Sequence, residues 1–355
     1  MAETGQRYKD SDDMSKAAPT DLPVEKLGTW LEQAIEDFHG LRIARKFAGG
    51  QSNPTFLLEA DSGRYVLRRK PPGALLASAH AVDREYRVLR ALASTDVPVP
   101  RALALCDDDT VIGSMFYVME FLDGRILWEP TLPELDAARR ARVYDEMNRV
   151  LVALHSVDVG AVGLADYGQP GSYYARQLSR WTKQYRAAET ERIEAMEQLM
   201  TWLAGRLPAD DGRVVLVHGD YRLDNLMFDA TEERIVAVLD WELSTLGHPF
   251  ADLAFQCMQW RLPHGAAALR GLGGVDRAAL GIPSEEEYVA RYCAATGIGA
   301  IPDWTFYLAI SFFRLAAICQ GVYKRGIDGN ASSTEALRFG EAARMIASAG
   351  ASVLD

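Results

Sequence analysis

The hydrophobic and polar positions of this chain follow a strand-like pattern in the first third and a helical pattern afterwards. Before about residue 122, short apolar runs separated by glycine, asparagine and aspartate predict five strands. These strands are Leu41–Phe47, Thr55–Ala60, Arg64–Arg68, Ala102–Cys106 and Met115–Phe121. Apolar residues at helical spacing predict helices at Leu27–Phe38 and His80–Leu92. This order of elements is typical of a small antiparallel sheet with one inserted helix.

From Asp136 onward, helical periodicity dominates the sequence. The predicted helices are Asp136–His155, Tyr173–Ala188, Ile193–Leu207 and several more between Glu285 and Ala347. Two strand candidates, Val214–Val217 and Ile235–Leu239, interrupt this helical region. We therefore predict an α+β fold with a disordered tail at 1–24, an N-lobe at 25–122 and a C-lobe at 123–355.

Composition and charge narrow the classes of function. The formal net charge of -11 argues against general nucleic-acid binding, which depends on excess lysine and arginine. The apolar stretch Tyr307–Tyr323 is interrupted by Arg314 and is typical of a buried helix rather than a membrane span. No CxxC pair occurs among the four cysteines, and the N-terminus lacks an apolar signal segment. We expect a cytoplasmic protein without nucleic-acid or membrane partners; the sequence does not indicate an oligomeric state.

Polar residues that suit phosphoryl transfer cluster in two neighbouring segments, VLVHGDYRLDNLMF and IVAVLDWE. They supply His218, Asp220, Asn225 and Asp240. Phosphoryl transfer requires a carboxylate that orients the attacking hydroxyl, together with amide and carboxylate oxygens that hold magnesium. Each residue taken singly also suits the capping of a turn, and only the ordered set favours chemistry.

The segment HGDYRLDN resembles the catalytic loop of the aminoglycoside phosphotransferase and choline kinase superfamily, and LDWE resembles its metal-binding motif. The resemblance implies a protein-kinase-like two-lobed fold that binds ATP and Mg²⁺. It implies Asp220 as catalytic base and Asn225 and Asp240 as magnesium ligands. His218 and Asp252, the latter in GHPFADLA, correspond to residues that support the loop.

The segment GGQSNPT lies between the first two predicted strands, where kinases carry their glycine-rich phosphate loop. Its candidate nucleotide-binding residues are Gly49, Gly50, Ser52 and Asn53. A plain hairpin turn is the alternative interpretation of this segment. Farther along, Met119–Leu122 resembles the kinase hinge, which implies adenine contacts at Glu120 and Leu122.

Arg68 stands where relatives in this superfamily usually have a lysine that grips the nucleotide phosphates. Arginine binds phosphate with a larger fork and differently directed donors. Strand alternation points the neighbouring Arg69 to the opposite face of the sheet. Glu85, on the helix of the N-lobe, is the candidate ion-pair partner of Arg68. A solvated position for Glu85 remains the alternative.

The acceptor is predicted from a closer resemblance. VLVHGDYRLDNLMF, AVLDWELSTLGHPFADLA and RQLSRWTKQYRAAET are similar to the kinase-like domain fused to some animal acyl-CoA dehydrogenases and to its free-standing bacterial counterparts. This resemblance implies phosphorylation of a hydroxy acid or hydroxyacyl-CoA. The short segment between Asp240 and Asp252 leaves little platform for a peptide, which favours a small-molecule acceptor.

Basic residues on two helical segments are candidates for binding an anionic acceptor. They are Arg176, Arg180, Arg314, Lys324 and Arg325. Solvated helix faces are the alternative for most of them, and an internal acidic partner is the alternative for Arg314. Two other functions stay open at this stage. One is an aminoglycoside or amino-sugar phosphotransferase, and the other is a nucleotide-binding pseudokinase, which the arginine at position 68 motivates.

Overall fold

The computed structural model describes residues 22–47, 53–71, 81–265, 270–329 and 334–354. Almost all of the predicted tail, residues 1–21, lies outside this range, as do Gly49, Gly50 and Ser52. Clustering of contacts divides the chain into two compact units. The first unit contains residues up to Ile126 together with Asn225–Leu243, and the second contains Leu127–Asp224 and Ser244–Asp355.

Ten strands form three antiparallel sheets in the described part of the chain. They are β1 (Leu41–Lys46), β2 (Thr55–Ala60), β3 (Gly63–Arg69), β4 (Ala102–Cys106), β5 (Phe116–Glu120), β6 (Arg125–Ile126), β7 (Val215–Val217), β8 (Leu226–Phe228), β9 (Ile235–Val238) and β10 (Thr245–Gly247).

The helices are longer and more numerous in the second unit. In chain order they are α1 (Val24–Ala34), α2 (Val82–Leu92), α3 (Asp109–Ile112), α4 (Ala137–His155), α5 (Tyr173–Ala188), α6 (Glu194–Ala204), α7 (Phe250–Cys257), α8 (Arg277–Leu280), α9 (Glu285–Thr296), α10 (Trp304–Ile327) and α11 (Phe339–Ala351). Short 3₁₀ turns include Leu223–Asn225 and Trp241–Leu243.

The first unit is built on a five-stranded sheet with the strand order β1-β2-β3-β5-β4. Alternating apolar residues of these strands pack with α1 on one face, where Leu27, Leu31, Leu58, Leu67 and Val118 are fully buried. Helix α2 lies between β3 and β4 in sequence and buries Val82, Val88, Leu89 and Leu92, which recur at helical spacing. The predicted antiparallel sheet with one inserted helix is therefore confirmed.

The second unit has a helical core that surrounds α10. This helix is long and apolar enough to cross a membrane, but 72% of its most apolar window is buried inside the protein. Among the described residues, that burial matches the sequence-based expectation of a core helix. Its neighbours include α11, α5 and α7. The predicted combination of a β-rich N-lobe and a mostly helical C-lobe is confirmed.

The compact units differ from the predicted lobes at one segment. Residues 225–243, which the sequence analysis includes in a C-lobe at 123–355, group with the first unit because β8 pairs with β6 and the backbone N–H of Val238 donates to the carbonyl of Pro98. The lobe boundaries themselves remain a prediction. Three short strands, β6, β8 and β10, and the helices α3, α7 and α8 were not predicted.

Candidate active site

Two strand ends bring Asn225 and Asp240 together in the first unit. Strands β8 and β9 are antiparallel, with Leu226 opposite Val238. Asn225 immediately precedes β8, and its carbonyl accepts the backbone N–H of Leu239 at 2.9 Å. Asp240 follows two residues after β9. The register therefore places the two predicted magnesium ligands at the same end of one hairpin.

Asp240 has an unusual backbone conformation. Its φ is +65°, in the left-handed region that aspartate tolerates better than most residues. The chain turns there into the 3₁₀ segment Trp241–Leu243, and the indole Nε1–H of the buried Trp241 donates to the carbonyl of Val238 at 3.0 Å. Side chains held in such conformations concentrate at functional sites.

Three carboxylates converge at this turn. One oxygen each from Glu85, Asp240 and Glu242 lies within 4.8 Å of the other two. Together with the amide of Asn225, this set offers the oxygen ligands that magnesium prefers, so the residues present fit the metal that the resemblance implies. Glu242 was not among the predicted ligands, although it stands two residues after Asp240 in the LDWE motif.

Arg68 joins two of these carboxylates. Its Nη2–H donates to Oδ1 of Asp240 at 2.5 Å, and its Nε lies 3.1 Å from Oε2 of Glu85. The ion pair between Arg68 and Glu85 that the sequence analysis expected is present, while the contact with Asp240 was not foreseen. Burial alone would lower the pKa of the guanidinium, but the charges of Glu85 and Asp240 raise it above its ordinary value.

The carboxylate of Glu85 is buried, and each of its two oxygens accepts a hydrogen bond from a side chain. Its side chain is 1% exposed, so the solvated alternative is wrong. Nδ2–H of Asn53 donates to Oε1 at 2.8 Å, and the hydroxyl of Tyr117 donates to Oε2 at 3.1 Å. Burial raises the pKa of Glu85, and the positive charge of Arg68 opposes that shift. The glutamate thus anchors Arg68 to the sheet.

Only some of the remaining predicted nucleotide-binding residues lie in the part of the chain that the structure describes. Gly49, Gly50 and Ser52 lie outside the described residues. Asn53, predicted as a donor to phosphate, is 1% exposed and donates instead to Glu85. Glu120 ends β5, and its carboxylate accepts the backbone N–H of Arg101 at 2.8 Å, while Leu122 follows two residues later. The adenine contacts expected at Glu120 and Leu122 remain a prediction.

The loop that carries Asp220 belongs to the second unit and follows β7. The backbone N–H of Asp220 donates to Nδ1 of His218 at 3.1 Å, so the fully buried imidazole closes a tight turn. Gly219, between them, has a φ of +86°, which glycine adopts without strain. This turn fixes the backbone direction from which the Asp220 side chain projects.

Asp252 ties the same loop to α7. Its carboxylate accepts the backbone N–H of His218 at 2.7 Å and that of Gly219 at 2.8 Å. Nε2 of His155 lies 3.3 Å from the same carboxylate, and Nδ1 of His155 is hydrogen-bonded to the hydroxyl of Tyr292 at 2.7 Å. Complete burial alone would raise the pKa of Asp252, but the hydrogen bond from His155 and those from the loop hold it below its ordinary value.

Arg222 is a site residue that the sequence analysis missed. Its Nη2–H donates to Oδ2 of Asp224 at 2.7 Å, and its Nε lies 3.5 Å from Oδ1 of Asp220. The signal was the alternation Asp220-Tyr-Arg222-Leu-Asp224, which places a cation between two carboxylates. Arg222 therefore places a positive charge beside the carboxylate of Asp220.

Arg314, one of the five predicted acceptor-binding residues, contacts this loop. The guanidinium of Arg314 donates to the carbonyl of Gly219 at 2.5 Å and lies 5.5 Å from the ring of Trp181 and 5.4 Å from that of Phe255. Among the described residues, no acidic side chain pairs with Arg314, so the expected internal partner is not found there. Its buried Nε has no hydrogen-bond partner.

Arg180 on α5 extends this positive region. Its guanidinium lies 5.3 Å from the ring of Trp181, and its pKa is lowered, first by burial and then by the charge of Arg314. Tyr173, also on α5, has a pKa raised by burial to about 12 while Arg314 opposes that shift. Two arginines that repel each other, with no acidic partner in the part of the chain that the structure describes, favour an anionic ligand.

The other three candidates have local partners or face solvent. Arg176 donates to the carbonyls of Gln169 at 2.5 Å and of Pro170 at 3.4 Å. Lys324 forms an ion pair with Asp328 at 2.6 Å. Arg325 is exposed. An open depression of about 670 Å³ beside α5 is lined by Ala175, Arg176, Ser179, Arg180, Lys183 and Gln184.

The fold and these side chains define a phosphotransferase of the kinase-like class. Kinases of this class use a strand cation, usually a lysine, paired with a helix glutamate, together with a metal-binding carboxylate and a loop that carries an aspartate and an asparagine. This chain has Arg68 in place of the lysine, paired with Glu85, and it has Asp240 and the HGDYRLDN loop. The model of the phosphotransferase enzyme family (APH) matches residues 43–305, and the chain belongs to this family of small-molecule kinases.

Individual relatives agree with this assignment. The mouse protein "Acyl-CoA dehydrogenase family member 10" is 51% identical over 332 residues, which cover 91% of this chain but only 31% of the mouse protein. The chain thus spans about a third of the length of that relative. A crystal structure from Ralstonia eutropha JMP134, whose protein carries the name of an aminoglycoside phosphotransferase, has 51% identity, a TM-score of 0.84 and coverage of 93% of this chain and 97% of that one.

A more distant structure supports the fold alone. The ternary complex of the aminoglycoside phosphotransferase APH(4)-Ia with ADP and hygromycin B is 17% identical, with a TM-score of 0.59 over 92% of this chain and 97% of that one. The kinase-like fold is therefore preserved across a wide divergence of sequence.

Proposed function

We propose that this protein transfers the γ-phosphoryl group of ATP to a hydroxyl of a small anionic acceptor, a hydroxy acid or a hydroxyacyl-CoA. The observation that carries the proposal is the group formed by Arg68, Glu85, Asp240 and the Asn225 hairpin end in the first unit. A buried glutamate that holds a cation beside a metal-ligand carboxylate is the arrangement with which kinases bind nucleotide phosphates.

In this mechanism, different residues of the chain bind the phosphates, accept the proton and position the catalytic loop. Asp220 accepts the proton of the acceptor hydroxyl as its oxygen forms a bond to the γ-phosphorus, while the bond from that phosphorus to the β,γ-bridging oxygen breaks and ADP leaves. Arg68 donates to phosphate oxygens. Asn225 and Asp240 would hold magnesium, which when bound neutralises charge on the phosphates. Asp252 and His218 keep the backbone of the Asp220 loop in place.

Three observations support the nucleotide and the anionic acceptor. A structure of APH(4)-Ia, a protein of the same fold, holds ADP together with hygromycin B. The mouse relative is named as an acyl-CoA dehydrogenase family member, and acyl-CoA thioesters carry phosphates. In this chain, Arg314 contacts the Asp220 loop and interacts electrostatically with Arg180, and neither arginine has an acidic partner among the described residues. A polycationic aminoglycoside would be repelled there.

The test is a screen of acceptor-dependent ADP release with hydroxy acids, hydroxyacyl-CoA esters and aminoglycosides. We expect turnover with the anionic acceptors, and we expect Asp220→Asn to reduce kcat by about 10²–10⁴-fold while ATP binding stays unchanged, because a general base contributes that much. Turnover with aminoglycosides alone would refute the anionic acceptor. Nucleotide binding without turnover of any acceptor would instead indicate a pseudokinase.

A further inference from the structure

Two carboxylates of the proposed metal site already share a cation of the chain itself. Oxygens of Glu85, Asp240 and Glu242 lie within 4.8 Å of one another. Carboxylates this close repel each other and require a positive charge between them. In the structure that charge is Arg68, whose side chain is only 14% exposed.

Arg68 uses different nitrogens for its two partners. Its Nε lies 3.1 Å from the buried Glu85, and its Nη2 lies 2.5 Å from Asp240. A guanidinium has separate nitrogens held in a rigid plane, so one side chain can contact two carboxylates at once. The single nitrogen of lysine is a point charge without this span. The arginine at position 68 therefore gives Asp240 a partner that the usual lysine is less suited to provide.

The contacts of Arg68 with Glu85 and with Asp240 differ in hydrogen bonding and in solvent exposure. The Nε of Arg68 is buried near Glu85 but makes no hydrogen bond there, so the guanidinium leaves one donor unused. The Asp240 side chain is 35% exposed, whereas the Glu85 side chain is 1% exposed and also held by Asn53 and Tyr117. The contact with Asp240 is thus the one that a new ligand can replace, while Glu85 keeps the base of the Arg68 side chain in place.

We propose that Arg68 is the resident counter-ion of Asp240 and that it keeps divalent cations off this carboxylate until nucleotide phosphates take over the guanidinium. Metal then binds Asp240 together with nucleotide and not before it. Exclusion of the metal by Arg68 concerns the nucleotide-free protein alone. Only the release of Asp240 by phosphates rests on the proposed function.

The decisive measurement is the affinity of the full-length protein for Mn²⁺, by calorimetry, with and without AMP-PNP. In the nucleotide-free protein, Asp240→Asn should leave Mn²⁺ binding within about twofold of wild type, because Arg68 occupies the carboxylate. With AMP-PNP bound, the same substitution should weaken Mn²⁺ binding at least tenfold. A clear loss of Mn²⁺ affinity on Asp240→Asn without nucleotide would overturn the proposal.

Variants of Arg68 test the same idea in the opposite direction. Without nucleotide, Arg68→Met should bind Mn²⁺ at least tenfold more tightly than wild type. The double variant with Asp240→Asn should lose this gain in affinity. Arg68→Lys keeps a charge beside Glu85 but shortens the reach, so it should show a smaller gain and serves if the methionine variant does not fold. Arg42→Met is the control: it removes an exposed arginine of the same sheet and should leave the Mn²⁺ affinity unchanged.

Two failures are distinguishable in this design. If Arg68→Lys folds and gains no Mn²⁺ affinity, the counter-ion role of Arg68 is wrong even where the wild-type protein turns over acceptor. If AMP-PNP does not bind the wild-type protein, the proposed phosphotransferase function fails, while the nucleotide-free comparison of wild type with Asp240→Asn still decides the role of Arg68.

Discussion

At the scale of single residues, Asp252 shows how one buried carboxylate organises the catalytic loop. It is fully buried, and its two oxygens accept the backbone N–H groups of His218 and Gly219, which immediately precede Asp220. Hydrogen bonds to an ionised acceptor are stronger than those between neutral groups. The position of the proposed base therefore depends on a residue more than thirty positions later in the chain.

Asp252→Asn should destabilise the protein by about 3 kcal/mol, because the amide can present only one oxygen to two backbone donors and directs its own N–H₂ at the second. We expect urea denaturation to report this loss, together with a fall in kcat from the displaced loop. Asp276→Asn is the matched control, since Asp276 is an exposed N-cap of α8 and asparagine caps equally well. Equal stability of the two variants would contradict this account.

The same residue predicts a pH dependence of stability. The pKa of Asp252 in the folded protein lies below its ordinary value of 3.8. Its contribution is therefore fully present above about pH 5 and is lost as the pH falls through the folded pKa. The difference in unfolding free energy between wild type and Asp252→Asn should narrow below about pH 4. A difference that stays constant from pH 7 to pH 3 would assign the effect to packing.

Single residues also show where sequence-based prediction stops. The HGDYRLDN and LDWE motifs identified Asp220, Asn225 and Asp240 as candidates, because their spacing is short and ordered. The contact between Arg68 and Asp240 joins residues 172 positions apart, and no local pattern encodes such a pair. The partner of Asn53 was missed for the same reason, since Glu85 lies 32 positions later.

At the scale of secondary-structure elements, the predictions were accurate for strands and helices long enough to show several repeats of their hydrophobic pattern. The predicted bounds of β2, β4 and α5 agree with the structure, and each has strong alternation or helical spacing. Strands β6, β8 and β10 contain only two or three residues, too few to show a period, and they form because neighbouring chain segments offer backbone partners. Ile193–Leu207 was predicted too long, since α6 ends at Ala204.

Helices α5 and α10 together predict how the acceptor is recognised. Arg180→Met should raise the KM for an anionic acceptor by about tenfold, equivalent to about 1.4 kcal/mol, and leave kcat nearly unchanged. Arg180 is suited to this test because, unlike Arg314, it has no hydrogen bond to the Asp220 loop among the described contacts. Steady-state kinetics with the acceptor found in the screen would measure both constants.

The control for this prediction is Arg325→Met, which removes an exposed arginine near the C-terminal end of α10. Its KM for the acceptor should match that of wild type. A similar rise in both variants would point to long-range attraction by the total positive charge rather than to a binding site, and added salt would then abolish both effects.

At the scale of the whole molecule, the first compact unit is discontinuous in sequence. Residues 225–243 return to it after nearly a hundred residues of the second unit, and they bring β8, β9 and the buried Trp241. The segment contacts α2 through Trp241–Leu243 and supplies Asp240 to Arg68. A cut at the predicted boundary near residue 122 would therefore remove part of the packing of the unit together with Asp240, the proposed metal ligand.

This arrangement predicts the behaviour of two fragments. Residues 22–126 alone should lack a cooperative thermal transition, because loss of a buried tryptophan alone costs about 3–5 kcal/mol, out of a typical domain stability of about 5–15 kcal/mol. Joining Ile126 to Asn225 through two glycines should restore cooperative unfolding, since Ile126 pairs with Met227 and the link closes a four-residue hairpin loop. Near-UV circular dichroism recorded during heating would measure the thermal transition of both fragments.

Trp241→Ala in the joined fragment separates packing from mere chain length. The variant keeps the same number of residues and the same hairpin, so a length effect would leave its transition intact. If burial of Trp241 holds the segment in the unit, the transition should shift to a clearly lower temperature and broaden. A fragment of residues 22–126 that unfolds as cooperatively as the joined one would show instead that the five-stranded sheet is stable by itself. Residues 225–243 would then only add the carboxylate of Asp240 to a unit that folds without them.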